Sequence, residues 1–362
     1  MIPKNIEAVT NSWLSEVLGG EVSGHTVAQI GQGVGLMGDI FRVALETTGS
    51  ADLPASVVVK LPSSFEENRA QGVALGMFEA EVRFYRELAE QASVGLPGVY
   101  YSEIQSGTAD FVIVMEDLSH LSLVGQTDGM SVDQAFAAVR VLARIHSVWW
   151  DQVQTHDLEW ILSMTGPRIE YVDQLLVDIF PAFAEGFGHC LPDGGLALFE
   201  LFAGNYLKFN QTLAARSPWT LAHQDYRVEN LMFGPEGSGE VIVLDWQGIG
   251  RGPGAYDLSY LLGGSMDIAL RRAHEEDLVL AYHDQLLASG IKDYSLASLK
   301  DDYGHAHLMG GLATAMVTGG TMDLSNARGL ALVETMAERH ITAALDHDGI
   351  ARARSVLSIE KF

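Results

Sequence analysis

The octapeptide His223-Gln224-Asp225-Tyr226-Arg227-Val228-Glu229-Asn230 has the spacing H-x-D-x-x-x-x-N, and an apolar run from Val241 to Leu244 ends in Asp245, 20 residues after Asp225. Two carboxylates and a carboxamide at this spacing are the groups that phosphoryl transfer requires. One carboxylate orients an attacking hydroxyl and accepts its proton, and hard oxygen ligands hold Mg²⁺ against the phosphates. Taken singly, Asp225 and Asn230 are ordinary turn formers and Asp245 an ordinary strand cap. The complete set, with an apolar strand delivering Asp245, points to a phosphotransferase site.

Such a site also needs a nucleotide, and the N-terminal third offers a place for one. Gly33-Val34-Gly35-Leu36-Met37-Gly38 spells G-x-G-x-x-G, a pattern shared by dinucleotide-binding turns, kinase glycine loops and plain glycine-rich turns. A dinucleotide turn requires a helix opening at Gly38, whereas Asp39 to Leu45 reads as strand. A hairpin carrying Gly33, Gly35 and Gly38 over phosphates fits this context better. The run Val57-Val58-Val59 then ends in Lys60, where kinases place the lysine that pairs the α- and β-phosphates. An acidic partner would keep that lysine aimed, and Glu79 and Glu81 on the next helix are the candidates. The strand Phe111 to Met115 leads straight into Glu116-Asp117-Leu118. Backbone groups of Met115, Glu116, Asp117 and Leu118 are therefore expected to line the adenine edge.

The elements that must position these residues follow from period and punctuation. Residues 5–19 read as a short helix ended by Gly19 and Gly20, and Thr26–Ile30, Ile40–Glu46 and Val57–Leu61 as strands of a small antiparallel sheet. Residues 66–91 carry Met77, Phe78, Val82, Tyr85 and Leu88 at three- and four-residue spacing, which predicts one long helix. Val99–Glu103 and Phe111–Met115 complete an N-terminal lobe over residues 1–117. From Ser131, which forms a capping box with Gln134, an apolar stripe from Phe136 to Trp150 begins a second lobe over residues 118–362. That lobe is mainly helical, interrupted by strand-like runs at Thr220–Phe233 and Val241–Asp245.

The motifs resemble the aminoglycoside phosphotransferase and choline kinase superfamily, over about Gly31 to Leu262. Asp245-Trp246-Gln247 together with Gly252-Pro253-Gly254-Ala255-Tyr256-Asp257-Leu258 is most similar to its ecdysteroid-kinase-like branch. The resemblance implies an α+β, two-lobed protein-kinase-like fold: a small N-lobe with an antiparallel sheet and one long helix, and a larger helical C-lobe. It implies Asp225 as the catalytic carboxylate, Asn230 and Asp245 as metal ligands, and Asp257 as a buried anchor of the catalytic loop. It favours Glu81 over Glu79, because Glu81 opens the stretch Glu-Val-Arg-Phe-Tyr that resembles the family's helix. Arg227 stands where related protein kinases often carry Lys, to offset charge on the transferred phosphate or else to form an internal salt bridge. Gln224 replaces a common Gly, and Trp-Gln follows Asp245 in place of the protein-kinase Phe-Gly.

Composition narrows the rest. With 22 Lys+Arg against 47 Asp+Glu the formal net charge is −25, which disfavours a nucleic-acid partner. No apolar run approaches the roughly 20 residues of a membrane span. A single cysteine, Cys190, and a start without an apolar signal core lead us to expect a cytoplasmic protein. The expected cofactors are ATP and Mg²⁺. The expected acceptor is a small-molecule alcohol, partly apolar if any of Trp149, Trp150, Trp160, Phe183, Phe187, Tyr206, Met309 and Met316 line a pocket and do not only fill the core. A catalytically silent nucleotide-binding module of the same fold is the main alternative. A metal-dependent hydrolase built on His223 lacks further histidine ligands nearby.

Overall fold

The computed structural model describes residues 2–31, 37–48, 52–92, 95–321 and 327–359. The chain divides into two compact units, residues 1–121 with Ile242–Gly248, and Ser122–Val241 with Ile249–Phe362.

The first unit begins with α1 (Asn11–Leu18), which Thr10 caps and Gly19 ends in the left-handed region. There follow β1 (Val22–Ile30), β2 (Gly38–Thr47) and β3 (Ser56–Pro62), helices α2 (Glu66–Ala74) and α3 (Met77–Arg83), and strands β4 (Val99–Ile104) and β5 (Phe111–Glu116). The five strands form one sheet in the order β1-β2-β3-β5-β4, and every neighbouring pair is antiparallel. Val43, Val57, Val59, Val112 and Val114 are fully buried on it. β2 continues as strand from Gly38, so the glycine motif does not open the helix that a dinucleotide turn requires.

The single helix expected over 66–91 is three pieces. Gly76 adopts φ +67 between α2 and α3, which terminates the first helix. After α3 the backbone widens into a π-helical turn over Phe84–Leu88 and tightens again at Ala89–Gln91. The apolar spacing survives these breaks, and for that reason the sequence pattern alone reads as continuous.

The second unit starts with β6 (Ser122–Leu123) and α4 (Val132–Val148), whose capping box is present: Gln134 N–H donates to Ser131 Oγ at 3.2 Å and Ser131 N–H to Gln134 Oε1 at 2.9 Å. It continues with α5 (Pro167–Phe187), α6 (Gly195–Phe202), α7 (Tyr206–Ala214), and strands β7 (Trp219–Ala222) and β8 (Leu231–Phe233). The chain then crosses β9 (Val241–Val243), and β10 (Gly250–Pro253) leads into α8 (Ala255–Gly264). Helices α9 (Ile268–Ala288), α10 (Leu296–Ala306), α11 (Gly310–Thr321), α12 (Ala327–Asp346) and α13 (Gly349–Leu357) complete it. β7 pairs antiparallel with β10, and β6 with β8. Phe183, Phe187, Tyr206, Met309 and Met316 lie in the helical core, and Trp149 and Trp150 are buried. These candidate pocket residues are therefore packing residues. Among the described residues no helix is long and apolar enough to cross a membrane.

α11 packs against α8 with no room for a side chain at Gly310, where an added Cβ would overlap the Tyr256 phenol. Because the ring is fully surrounded, Gly310→Ala is expected to destabilise the second unit by about 1–3 kcal/mol, read as a lower urea midpoint at unchanged slope.

Candidate active site

The first unit builds a cation clasp. β3 presents Lys60 on the buried side of the sheet, only 6% exposed. Its Nζ donates to Glu81 Oε2 at 2.7 Å and Oε1 at 2.9 Å, and to Asp245 Oδ1 at 2.9 Å. Burial by itself would lower the lysine, but Asp245 and Glu81 outweigh it and hold the ammonium above its usual value. Burial pushes the Glu81 carboxyl up to about 7 although Lys60 pulls it down. Glu79, the rival, accepts instead from Ser106 Oγ at 3.0 Å.

Local packing delivers Asp245 to this clasp. Val243 N–H donates to Gly95 C=O at 2.9 Å, and the Trp246 ring stacks on Phe84 of the π turn at 3.8 Å between centroids and 7° between planes. Tryptophan after Asp245 thus fastens the segment carrying Asp245 to the π turn that continues α3, the helix that carries Glu81. Asp245 itself sits at φ +62, a conformation that non-glycine residues adopt at a cost. One ammonium lies between two carboxylates, of which Glu81 is raised toward neutrality. Gln247 Nε2 donates to Asp245 Oδ2 at 3.1 Å, while its buried Oε1 has no hydrogen-bond partner. A carboxylate beside an unsatisfied amide oxygen fits a hard divalent cation.

The glycine hairpin is seen only at its end. Gly33 and Gly35 lie outside the described residues. Gly38 opens β2, where a Cβ would meet Leu61 O at 2.7 Å and Lys60 Cε at 3.6 Å, so glycine is required there by the close approach of β3. At the end of β5, Met115 and Leu118 are buried, and Glu116 exchanges contacts with Gly98 through its N–H and its carboxylate. Asp117 accepts from Ser56 Oγ and Ser119 N–H and pairs with Arg42 at 2.9 Å. Burial would raise its carboxyl, but these partners hold it below the usual value. Its side chain is thus a structural anchor.

The second unit builds a carboxylate held from two sides. Asp225 Oδ1 accepts from Tyr260 Oη at 2.9 Å and Oδ2 from Asn230 Nδ2 at 2.8 Å. Asn230 Nδ2 also donates to the Asp225 C=O at 2.9 Å, which leaves the amide oxygen as the atom with lone pairs to offer. Arg227 lies with Nε 3.3 Å from Asp225 Oδ1 and pairs with Glu229 Oε2 at 2.8 Å, so the internal salt bridge considered for it exists beside the carboxylate. Glu229 Oε1 accepts from Gln126 N–H at 3.2 Å.

Asp257 anchors the loop. It is fully buried and accepts from His223 N–H at 2.6 Å, Gln224 N–H at 2.8 Å and His146 Nε2 at 3.1 Å. Those two backbone bonds hold Gln224 at φ +66, the left-handed conformation that glycine would take without strain. His223 is buried, and its Nδ1 accepts from Asp225 N–H at 3.3 Å, a structural position. Tyr260, three residues after Asp257 on α8, and Gln247 were not singled out from sequence. Their partners come from other segments, and no local spacing announces them.

Residues 32–292, more than half of the chain, match the ecdysteroid kinase-like family. The fold is similar to choline kinase from Cryptosporidium parvum Iowa II, with a TM-score of 0.56, 9% identity and 92% of each chain covered. It is also similar to the GDP complex of wild-type aminoglycoside 2'-phosphotransferase-IIIa, with a TM-score of 0.52 and 13% identity over 86% of this chain and 92% of that one. At these identities the likeness is one of fold. A curated relative, the uncharacterized oxidoreductase dhs-27 of Caenorhabditis elegans, is 23% identical over 327 residues, which are 81% of this chain and 39% of that protein. The chain thus spans well under half the length of that relative.

Replacing Asp257 by Asn puts a donor against at least one of three donors. Asp257→Asn is expected to lower stability by about 1.5–3 kcal/mol, the worth of one bond to a buried charge, measured by chemical denaturation of the second unit.

Proposed function

The chain belongs to the ecdysteroid kinase-like family, and from that membership and the chemistry of its two half-sites we propose that it transfers the γ-phosphate of Mg·ATP to a hydroxyl of a small molecule. The observation that carries the proposal is the buried Lys60 ammonium held by Glu81 and Asp245. A lysine so fixed is a point charge ready for the α- and β-phosphates, and no surface role explains its burial.

Asp245 and Asn230 are the proposed oxygen ligands of magnesium, which when bound supplies positive charge against the phosphate oxygens. The chain's own contribution is positional. Asp225 would accept the proton of the acceptor hydroxyl, with both of its oxygens fixed in direction by Tyr260 and Asn230. Arg227, beside the same carboxylate, would offset charge on the transferred group. The backbone from Met115 to Leu118 and the hairpin of Gly33, Gly35 and Gly38 are proposed to hold adenine and phosphates.

The carboxylates near Asp225 do not favour a polycationic acceptor. Glu229 is committed to Arg227 and to the Gln126 amide. Asp257 is sealed in the interior. Among the described residues, neither is available to a polyamine.

A screen of amino sugars, choline-like alcohols, sterols, phenols and hydroxyacyl thioesters for ATP-dependent phosphorylation tests the proposal. An alcohol other than the amino sugars is expected to turn over. Asp225→Asn should lower kcat by roughly 10²–10⁴ while thermal stabilisation by Mg·ATP is retained. Turnover in that variant equal to the parent removes Asp225 from its role. Stabilisation by Mg·ATP with no acceptor in any arm leaves only a nucleotide-binding module.

A further inference from the structure

Three residues remote in sequence, and outside the phosphoryl-transfer residues, meet in the second unit. Glu275 lies in the middle of α9, His307 caps the C-terminal end of α10, and His347 directly follows α12. Each offers one ligand atom, and the three atoms lie within 4.8 Å of one another. His347 Nε2 and Glu275 Oε1 are already 3.2 Å apart. A tetrahedral ion with bonds of about 2.1 Å places its donors about 3.4 Å apart, so small side-chain rotations close the set.

We propose that Glu275, His307 and His347 form a binding site for a divalent transition metal, with Zn²⁺ the best-suited ion, which ties α9, α10 and α12 together. The observation pointing to a ligand is that Nε2 of His307 is buried without a hydrogen-bond partner. His307 is only 4% exposed. Buried ring nitrogens are ordinarily satisfied, and an unpaired one inside a protein calls for an account. The two imidazoles stack, 4.9 Å between centroids and 15° between planes, so neither solvates the other's nitrogen in the plane of its ring.

Burial, followed by His347, holds the His307 imidazole well below its usual value, so it keeps its lone pair at neutral pH. Burial would raise the Glu275 carboxyl, but His347, Arg271 and His307 bring it down to about 2, so it is ionised. A second shell is also present. Tyr303 Oη donates to Glu275 Oε1 at 2.6 Å and Arg271 Nη1 donates to both carboxylate oxygens, fixing their direction.

The Arg271 guanidinium opposes a cation, yet it is itself paired with Asp346, as is Arg272. Before any ion enters, two carboxylates thus balance two guanidinium groups. Two imidazoles and one carboxylate form a borderline donor set that prefers zinc to magnesium or calcium. His347, with a quarter of its side chain exposed, gives the ion a way in and water a fourth position.

The test uses the full chain without a histidine tag. Titrating Zn²⁺ into EDTA-treated protein should show one equivalent bound at this site and raise Tm by about 5 °C at a hundredfold excess over Kd. His347→Gln should match the parent's Tm in EDTA and lose the shift. In the parent, Zn²⁺ should protect His347 from diethyl pyrocarbonate, read by peptide mass spectrometry, while the exposed His189 stays reactive. An equal Zn²⁺ shift in His347→Gln, or unchanged modification of His347, overturns the proposal. If the variant does not fold, the footprint on the parent decides alone.

Discussion

A single buried ammonium organises the N-terminal unit. Lys60 has lost its water, and a charge moved out of water persists only where partners replace the hydration. Glu81 and Asp245 do so from two segments 164 residues apart in sequence. Removing both would leave a buried, uncompensated charge, a defect worth about 3–5 kcal/mol in comparable pairs. The clasp therefore fixes where α3 and the segment Ile242–Gly248 must lie, and Trp246 on Phe84 fixes it again through packing. This explains why that short segment groups with the N-terminal unit although its neighbours in sequence do not.

In the second unit the same logic runs through an anion. Asp257 has no cation against it beyond what His146 can offer, and two backbone amides and one ring nitrogen satisfy it. A carboxylate solvated by fixed N–H groups can dictate backbone conformation, and here it holds Gln224 in the left-handed region just before Asp225. Tyr260, one helical turn further along α8, then reaches the Asp225 carboxylate itself. One helix thus sets both the path of the loop and the orientation of the Asp225 carboxylate.

What the sequence discloses follows from how local each signal is. The octapeptide from His223 to Asn230 is legible because its spacing is rigid, and Lys60 only because Asp225 and Asp245 first point to phosphotransfer and so give a strand-terminal lysine a role. The choice of Glu81 over Glu79 rested on resemblance, and the pairing distances settle which of them touches Lys60. The break at Gly76 and the π turn were hidden, since the apolar period runs through them undisturbed. Residues such as Phe183 and Met309 could have lined a pocket or filled a core, and only tertiary packing places them in the core. Gln247, Tyr260 and the Glu275–His307–His347 group have no sequence signature, because each acquires its meaning from segments far away in the chain.

The claim on which the functional account turns is that Asp245 and Lys60 together receive a metal-bound triphosphate. Calorimetric titration of ATP into the parent and into Asp245→Asn, each with and without Mg²⁺, tests it most directly. The account predicts tight binding in the parent only with Mg²⁺, and in the variant a weaker affinity that no longer responds to the metal. An affinity in Asp245→Asn that still rises with Mg²⁺ as steeply as in the parent would contradict it.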